Sequence, residues 1–372
     1  MINLNFMFLK KAIPVIVLAT FCLMKNASAK IWRVNNKAEA PYGANMGGTE
    51  ANPVFQQIYT TGTGAQYSAV GSGYAQYGDT IHLEGSTTTY SNANNLKIKL
   101  TIIGPGFFLT ENPNVSNDKL EARISQISFD SGSEGSHLMG VHVTTYLGIG
   151  MGVNNIVIKR CLIDQHIAVG AGVSDLTIIQ NYFSRTNALT IFNENSPYAS
   201  GMVFNNNIVL GNLIAANSAF LECKNNIFVC STAVVGGPSL RMNVSSFQNN
   251  IIVNAGASVS INGGSNLDVS YNISSNTNTP QFGTGNNNIA IANIYSALFA
   301  DTGSSDGKYK LKPGVAPSGS DGTERGAFGG AAPTNRYTLS GLAPIPVIYE
   351  ISTSGVADAT GLPVTIKAKT IL

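Results

Sequence analysis

Six short runs decide the fold. They read Ile156-Val-Ile-Lys-Arg-Cys161-Leu-Ile, Leu176-Thr-Ile-Ile-Gln-Asn181-Tyr-Phe and Met202-Val-Phe-Asn-Asn-Asn207-Ile-Val. They continue as Leu221-Glu-Cys-Lys-Asn-Asn226-Ile-Phe, Ser245-Ser-Phe-Gln-Asn-Asn250-Ile-Ile and Leu267-Asp-Val-Ser-Tyr-Asn272-Ile-Ser. Asparagine recurs at one turn position in five of the six, at steps of 20, 26, 19, 24 and 22 residues. A unit of that size cannot bury its apolar side alone, so the repeat predicts a stacked solenoid.

Counted from the turn position, the columns differ in chemistry. Five before it stand Ile156, Leu176, Met202, Leu221, Ser245 and Leu267; three before it stand Ile158, Ile178, Phe204, Cys223, Phe247 and Val269. One after it stand Leu162, Tyr182, Ile208, Ile227, Ile251 and Ile273. All three columns are expected to face the interior, and the column four before the turn, with Glu222 and Asp268, to face outward. An asparagine amide carries a donor and an acceptor. The turn column is therefore expected to form an internal ladder that satisfies corner backbone groups.

The stretch Gly78-Asp-Thr-Ile-His-Leu-Glu-Gly-Ser-Thr-Thr-Thr-Tyr90, followed by Leu100-Thr-Ile-Ile-Gly-Pro-Gly106, resembles the first two rungs of secreted bacterial right-handed parallel β-helix proteins of the pectin-lyase-like superfamily. Tyr309-Lys-Leu-Lys-Pro-Gly314 and Gly326-Ala-Phe-Gly-Gly330 resemble the closing segment of such chains. The resemblance implies an all-β fold, a right-handed parallel β-helix with N-terminal and C-terminal caps. It says little about activity, because that superfamily mixes lyases, hydrolases, adhesins and proteins of no known role.

The expected organisation is a signal peptide over 1–29, an N-terminal capping segment over 30–77, the helix over 78–295, and a C-terminal capping segment and tail over 296–372. Lys10 and Lys11, an apolar stretch from Ala12 to Met24 and the small residues Ala27-Ser-Ala29 form the secretion signature. The apolar stretch is shorter than the roughly 20 residues a membrane span needs. The protein is thus expected outside the cytoplasm: extracellular, periplasmic or at the cell surface. Asn52 to Ile58 reads as a short capping helix, 108–135 as a projecting loop, and 296–345 as a wrap over the far end.

Removing the signal takes away Lys10, Lys11 and Lys25 and no acid, leaving 22 − 3 = 19 basic against 20 acidic residues, a net of −1. With no basic run, nucleic acid and anionic membranes are not expected as partners, and a polysaccharide or cell-surface glycan is the expected one, bound by a monomer. Cys161, Cys223 and Cys230 are too far apart or too awkwardly placed on the stack for a bridge, and are expected as free buried thiols.

Chemistry is sparse. Glu222 and Asp268 share the outward column two rungs apart, a backbone separation of roughly 9.6 Å, near the upper end of the spacing for an inverting glycosidase, about 6.5–9.5 Å. Lys224 and Arg160 are the nearest cations for an acidic sugar. Those four residues are the expected catalytic set if the protein is a polysaccharide lyase or glycoside hydrolase, and calcium is the cofactor a lyase would use. Asp130, Glu134 and His137 form a second local polar group, and His82, His142 and His166 read as surface histidines. Without a complete acid, base, metal or cation constellation, the favoured expectation is non-catalytic carbohydrate binding or adhesion.

Overall fold

The computed structural model describes residues 29–36, 54–59, 69–184 (apart from 72 and 116–118), 192–194, 198–230, 240–253, 259–275 (apart from 264–265), 282, 285–353 (apart from 316–317) and 361–370. Residues 1–28 of the signal peptide expected over 1–29, and Asn52 with Pro53, lie outside them.

The chain winds into a parallel β-solenoid of about eight turns. One sheet contains Ile31–Val34, Thr80–Leu83, Thr101–Ile103, His137–Met139, Val157–Lys159, Thr177–Ile179, Met202–Asn205, Leu213–Lys224 and Leu240–Gln248, each hydrogen-bonded to the next. The second contains Arg123–Phe129, His142–Ile149, Leu162–Ile163, Tyr182–Phe183, Ile208–Leu210, Ile227–Val229, Ile251–Val253, Ile273–Ser274 and Ile289–Ala290.

Register in the first sheet is strict where the interior demands it. Trp32, Ile81, Ile102, Leu138, Ile158, Ile178, Phe204, Cys223 and Phe247 lie in one stack and all are buried. Phe183, Phe204, Phe228 and Phe247 stack across the interior at centroid distances of 5.8, 6.2 and 6.4 Å. A one-residue slip would turn all of them outward, so burial fixes the pairing. Cys161, Cys223 and Cys230 are buried and free.

The asparagine column is an internal ladder. Asn181, Asn207, Asn226, Asn250 and Asn272 are fully buried. Each backbone N–H donates to the side-chain oxygen of the next, as from Asn207 to Asn226 and Asn226 to Asn250, both 2.9 Å. Each amide nitrogen donates back to a carbonyl of the preceding turn, as Asn226 does to Phe204 at 2.8 Å. A sixth asparagine, Asn288, continues the ladder beyond the six aligned runs by accepting from Asn272 at 2.9 Å.

Two of the three columns expected inside depart from that reading. Leu221 is 53% exposed and Ser245 is exposed, because irregularities in register push them out while Phe220 and Val244 take the inward places. The column one after the turn points away from the interior. Leu162, Tyr182, Ile208, Ile227, Ile251 and Ile273 form a second core with Phe107, Leu298, Phe299, Tyr309, Ala327 and Tyr337. Their cover is the segment after Asn293, which runs back along the flank of the solenoid.

The residue just before each turn position faces this strap. Arg160, Gln180, Asn206, Asn225, Asn249 and Tyr271 all have φ between 54° and 60°. That left-handed conformation is tolerable for asparagine and costly for most other side chains. It turns these side chains outward toward the strap. Asn206 donates to the carbonyls of Ala327 and Gly329 at 2.9 and 2.8 Å, and Gln180 to that of Thr334 at 2.9 Å. Asn249 accepts from Ser320 N–H at 2.9 Å, and Arg325 returns a bond to the Asn287 carbonyl at 3.1 Å.

Other expectations also change. Val54–Phe55, inside the expected capping helix, is a strand paired with Arg33 and Val34. Arg123–Phe129, inside the expected projecting loop, is a seven-residue strand of the second sheet. The alternation of Leu362 to Lys369 does mark a strand, Val364–Thr370, but it pairs antiparallel with Pro346–Thr353 in a separate two-stranded sheet. Among the described residues no helix is long and apolar enough to cross a membrane.

Candidate functional site

The column from Leu162 to Ile273 on the second sheet is covered, whereas the outward face of the first sheet is, among the described residues, a long exposed surface of the coil. Two outward columns run along it. One carries Thr80, Thr101, His137, Val157, Thr177, Val203, Glu222, Ser246 and Asp268; the other carries His82, Ile103, Met139, Lys159, Ile179, Asn205, Lys224, Gln248 and Ser270. All these side chains are at least partly exposed except Ser270.

Glu222, Lys224 and Asp268 lie on this face, and Glu222 and Asp268 are separated by Ser246, as the frame implies. Glu222 is held by Lys224 Nζ and Asn205 Nδ2, both at 2.9 Å. Partial burial alone would raise its pKa. The bonds from Lys224 and Asn205 and the ammonium charge outweigh it, and hold the carboxyl below its ordinary value. Asp268 accepts from Gln248 Nε2 at 2.6 Å, and the same amide reaches Ser270 Oγ at 2.9 Å. The product is a paired network of amide, hydroxyl and charge. A general acid needs its pKa raised toward the working pH, and Glu222 is shifted the other way.

Arg160 is not with them. Its side chain is 2% exposed, bonded through Nε to Gln180 Oε1 at 2.9 Å and through a terminal nitrogen to the Leu342 carbonyl at 2.8 Å. It stands one residue beyond the outward strand, where the left-handed turn swings it under the strap. Trp32 is buried as well, donating its indole N–H to Asp79 at 2.8 Å and packing on Phe55, so it offers no stacking surface.

A second constellation lies at the uncovered N-terminal end of the second sheet. His142 Nδ1 is 2.9 Å from Glu121 Oε2 and Nε2 is 2.7 Å from Asp164 Oδ2. Ser184 Oγ donates to Asp164 at 2.7 Å, and Phe108 N–H and Arg123 Nε donate to Glu121 at 2.8 and 3.2 Å. Burial by itself lowers the His142 pKa, but the two carboxylates reverse the sign and hold it above its ordinary value. Burial likewise raises Glu121 and Asp164, and hydrogen bonds from His142, Phe108 and Ser184 bring both below theirs. An open pocket of about 300 Å³ beside Glu121 is lined by Ser86, Thr87, Thr110, Lys119, Leu120 and Arg123. The imidazole fills the gap between the carboxylates, where a hydrolase needs water and a sugar ring. The trio is therefore built as a brace. His142 is no plain surface histidine. Asp164, two residues past Leu162 in the next run, was within reach of the repeat frame; Glu121 arrives from an irregular segment that the frame does not cover.

The group Asp130, Glu134 and His137 does not converge. The Glu134 carboxylate closes its own turn on Gly132 N–H at 3.0 Å, while His137 stands in the outward column of the first sheet, where the charges of Lys99 and Lys159 act on it. Among the described residues, no three His, Cys, Asp or Glu side chains are placed to hold a metal ion.

The fold and this face define the class: an all-β parallel solenoid with one flank strapped and one polar flank open. No protein-family model, no curated protein and no solved structure matches the chain.

Proposed function

We propose that this protein is secreted, is akin to the right-handed helices of the pectin-lyase-like superfamily, and binds carbohydrate through the outer face of its first sheet, for recognition or adhesion at a cell surface. One observation carries the reading. The face presents hydroxyl, amide and charged groups at the strand spacing of about 4.8 Å, already ordered by mutual bonds such as Asn205–Glu222–Lys224 and Gln248–Asp268. Preordered donors and acceptors on a rigid sheet lose little entropy on meeting sugar hydroxyls.

The second reading, a polysaccharide lyase or glycoside hydrolase, rests on Glu222 and Asp268 sharing a column. The pairing of Glu222 with Lys224 and of Asp268 with the Gln248 amide favours binding over turnover. The test is a panel of neutral and acidic glycans, with and without calcium, read by binding and by release of reducing ends or unsaturated products. Binding without product, weakened by Asn205→Ala with Gln248→Ala, is the expected result. Product formation lost in Glu222→Gln would replace this reading with the enzymatic one.

A further inference from the structure

The same open face carries a cationic stripe with no acidic partner among the described residues. Thr101, His137 and Val157 are register partners on three successive rungs. Lys99 stands two residues before the first of them and Lys159 two residues after the last. Each lysine Cα therefore lies diagonally about 8 Å from that of His137, within reach of a four-carbon stem. Gly135, opposite Lys99, has a φ of 76° and no side chain, and the Lys99 stem fills that space: a β-carbon there would stand 3.3 Å from Lys99 Cε. Tyr77 lies under the Lys99 ammonium, 5.9 Å from ring centroid to Nζ.

His137 is exposed, whereas both lysines are half-buried. Among the described residues, no carboxylate makes an ion pair with any of the three. The other groups facing the stripe, Thr101, Ile103, Met139 and Val157, are uncharged. Burial first, then the charges of Lys99 and Lys159, lower the His137 pKa; burial and Arg160 lower that of Lys159. Elsewhere on the same face Arg33 is paired with Glu84 and Lys224 with Glu222.

We infer that Lys99, His137 and Lys159 form a subsite for a tetrahedral oxyanion, a sulfate or phosphate ester carried by the bound glycan. This rests on the carbohydrate-binding reading above. Three donors approaching from different directions suit a tetrahedral anion, because lysine acts as a point charge. A planar carboxylate is better met by the fork of an arginine. The nearest arginine, Arg160, is buried under the strap.

The experiment has two independent readouts on the full secreted chain. NMR titration of the His137 ring, in inorganic sulfate or phosphate against chloride at equal ionic strength, reports the anion directly. The expected result is an upward shift of the His137 pKa, abolished in Lys99→Gln with Lys159→Gln. No shift with either anion overturns the inference, whatever glycan the protein binds. Affinities for dextran sulfate, a phosphorylated mannan, polygalacturonate and neutral dextran form the second arm. Sulfated or phosphorylated polymer should lose about tenfold or more in the double variant, with any neutral-glycan binding retained; which of the two falls identifies the ester. Equal loss for polygalacturonate would overturn the choice of a tetrahedral anion. An anion-dependent His137 shift with no glycan bound at all would instead sink the carbohydrate reading.

Discussion

Replacing Asn226 by leucine tests the ladder at its centre. The Asn226 side-chain oxygen accepts from the Asn207 N–H and amide at 2.9 and 3.1 Å, and its nitrogen donates to the Phe204 carbonyl and Asn250 at 2.8 and 2.9 Å. Leucine has nearly the same shape and none of these groups. The Asn207 amide keeps the Ile178 carbonyl and the Asn250 oxygen keeps the Asn226 N–H, so those losses are partial. The buried Asn207 N–H loses its acceptor, which costs about 1–3 kcal/mol, and each further bond lost adds about 1 kcal/mol. The expected destabilisation is about 3 kcal/mol, even after the gain from a buried apolar side chain. Because a solenoid couples mainly nearest neighbours, the loss should concentrate in adjacent rungs. Urea unfolding followed by circular dichroism should therefore shift more than the fluorescence of Trp32, the single tryptophan, many rungs away. Hydrogen exchange should accelerate most at Asn207 and Asn250. Asn288→Leu, at the ladder's end, should cost less. A variant within about 0.5 kcal/mol of wild type, below the usual worth of one buried bond, would refute the account of the ladder.

Four further outcomes follow from the same contacts. Gly341→Ala should loosen the strap, since its β-carbon would meet Phe107 at 2.3 Å and the Arg160 carbonyl at 2.4 Å; the check is faster limited proteolysis of the C-terminal segment, and unchanged cleavage would argue against a close fit. Arg160→Met should lower the melting temperature by removing the donors to the Gln180 side-chain oxygen and the Leu342 carbonyl, and leave glycan affinity unchanged; lost affinity in a stable variant would return Arg160 to the binding face. In the Glu121–His142–Asp164 brace, the raised His142 pKa gives stability that is full below its unfolded value of 6.5 and lost as pH rises through the folded one. The lowered carboxylates give stability that is present above their ordinary values of 4.5 and 3.8 and lost as pH falls through the folded ones, so His142→Gln should flatten both limbs of a plot of melting temperature against pH. Burial pushes the Cys161 and Cys230 thiols up to about 12 and raises Cys223 as well, so none should react with iodoacetamide at pH 8, a common labelling pH near the free-thiol value of about 8.5, until the protein unfolds.

The repeat, the ladder and the shared column of Glu222 and Asp268 were legible in the chain because each depends on local spacing. A strand alternates every second residue, and a stack keeps equivalent residues above one another. Asn181 through Asn272 could thus be placed inside from the recurrence of one amide before an apolar step. The column from Leu162 to Ile273 misled for a physical reason. An apolar side chain facing outward under a covering segment has the same composition as one facing the core. Only the return of residues 318–343 along the flank distinguishes them. The left-handed residue before each asparagine also breaks the alternation, and so reverses the parity by which the column was read. Leu221 and Ser245 escaped for the related reason that a register irregularity leaves no mark in the spacing to the next turn.

What the sequence determined alone was the solenoid, its asparagine ladder and the face that carries Glu222, Lys224 and Asp268, all products of periodicity along the chain. Only tertiary structure decided which face stays open, that Arg160 is withdrawn from it, that His142 is braced by Glu121 and Asp164, and that Lys99 and Lys159 flank His137. Each of these brings together groups from different turns or from the strap. Their meeting depends on how far the intervening chain detours, and no repeat encodes that distance.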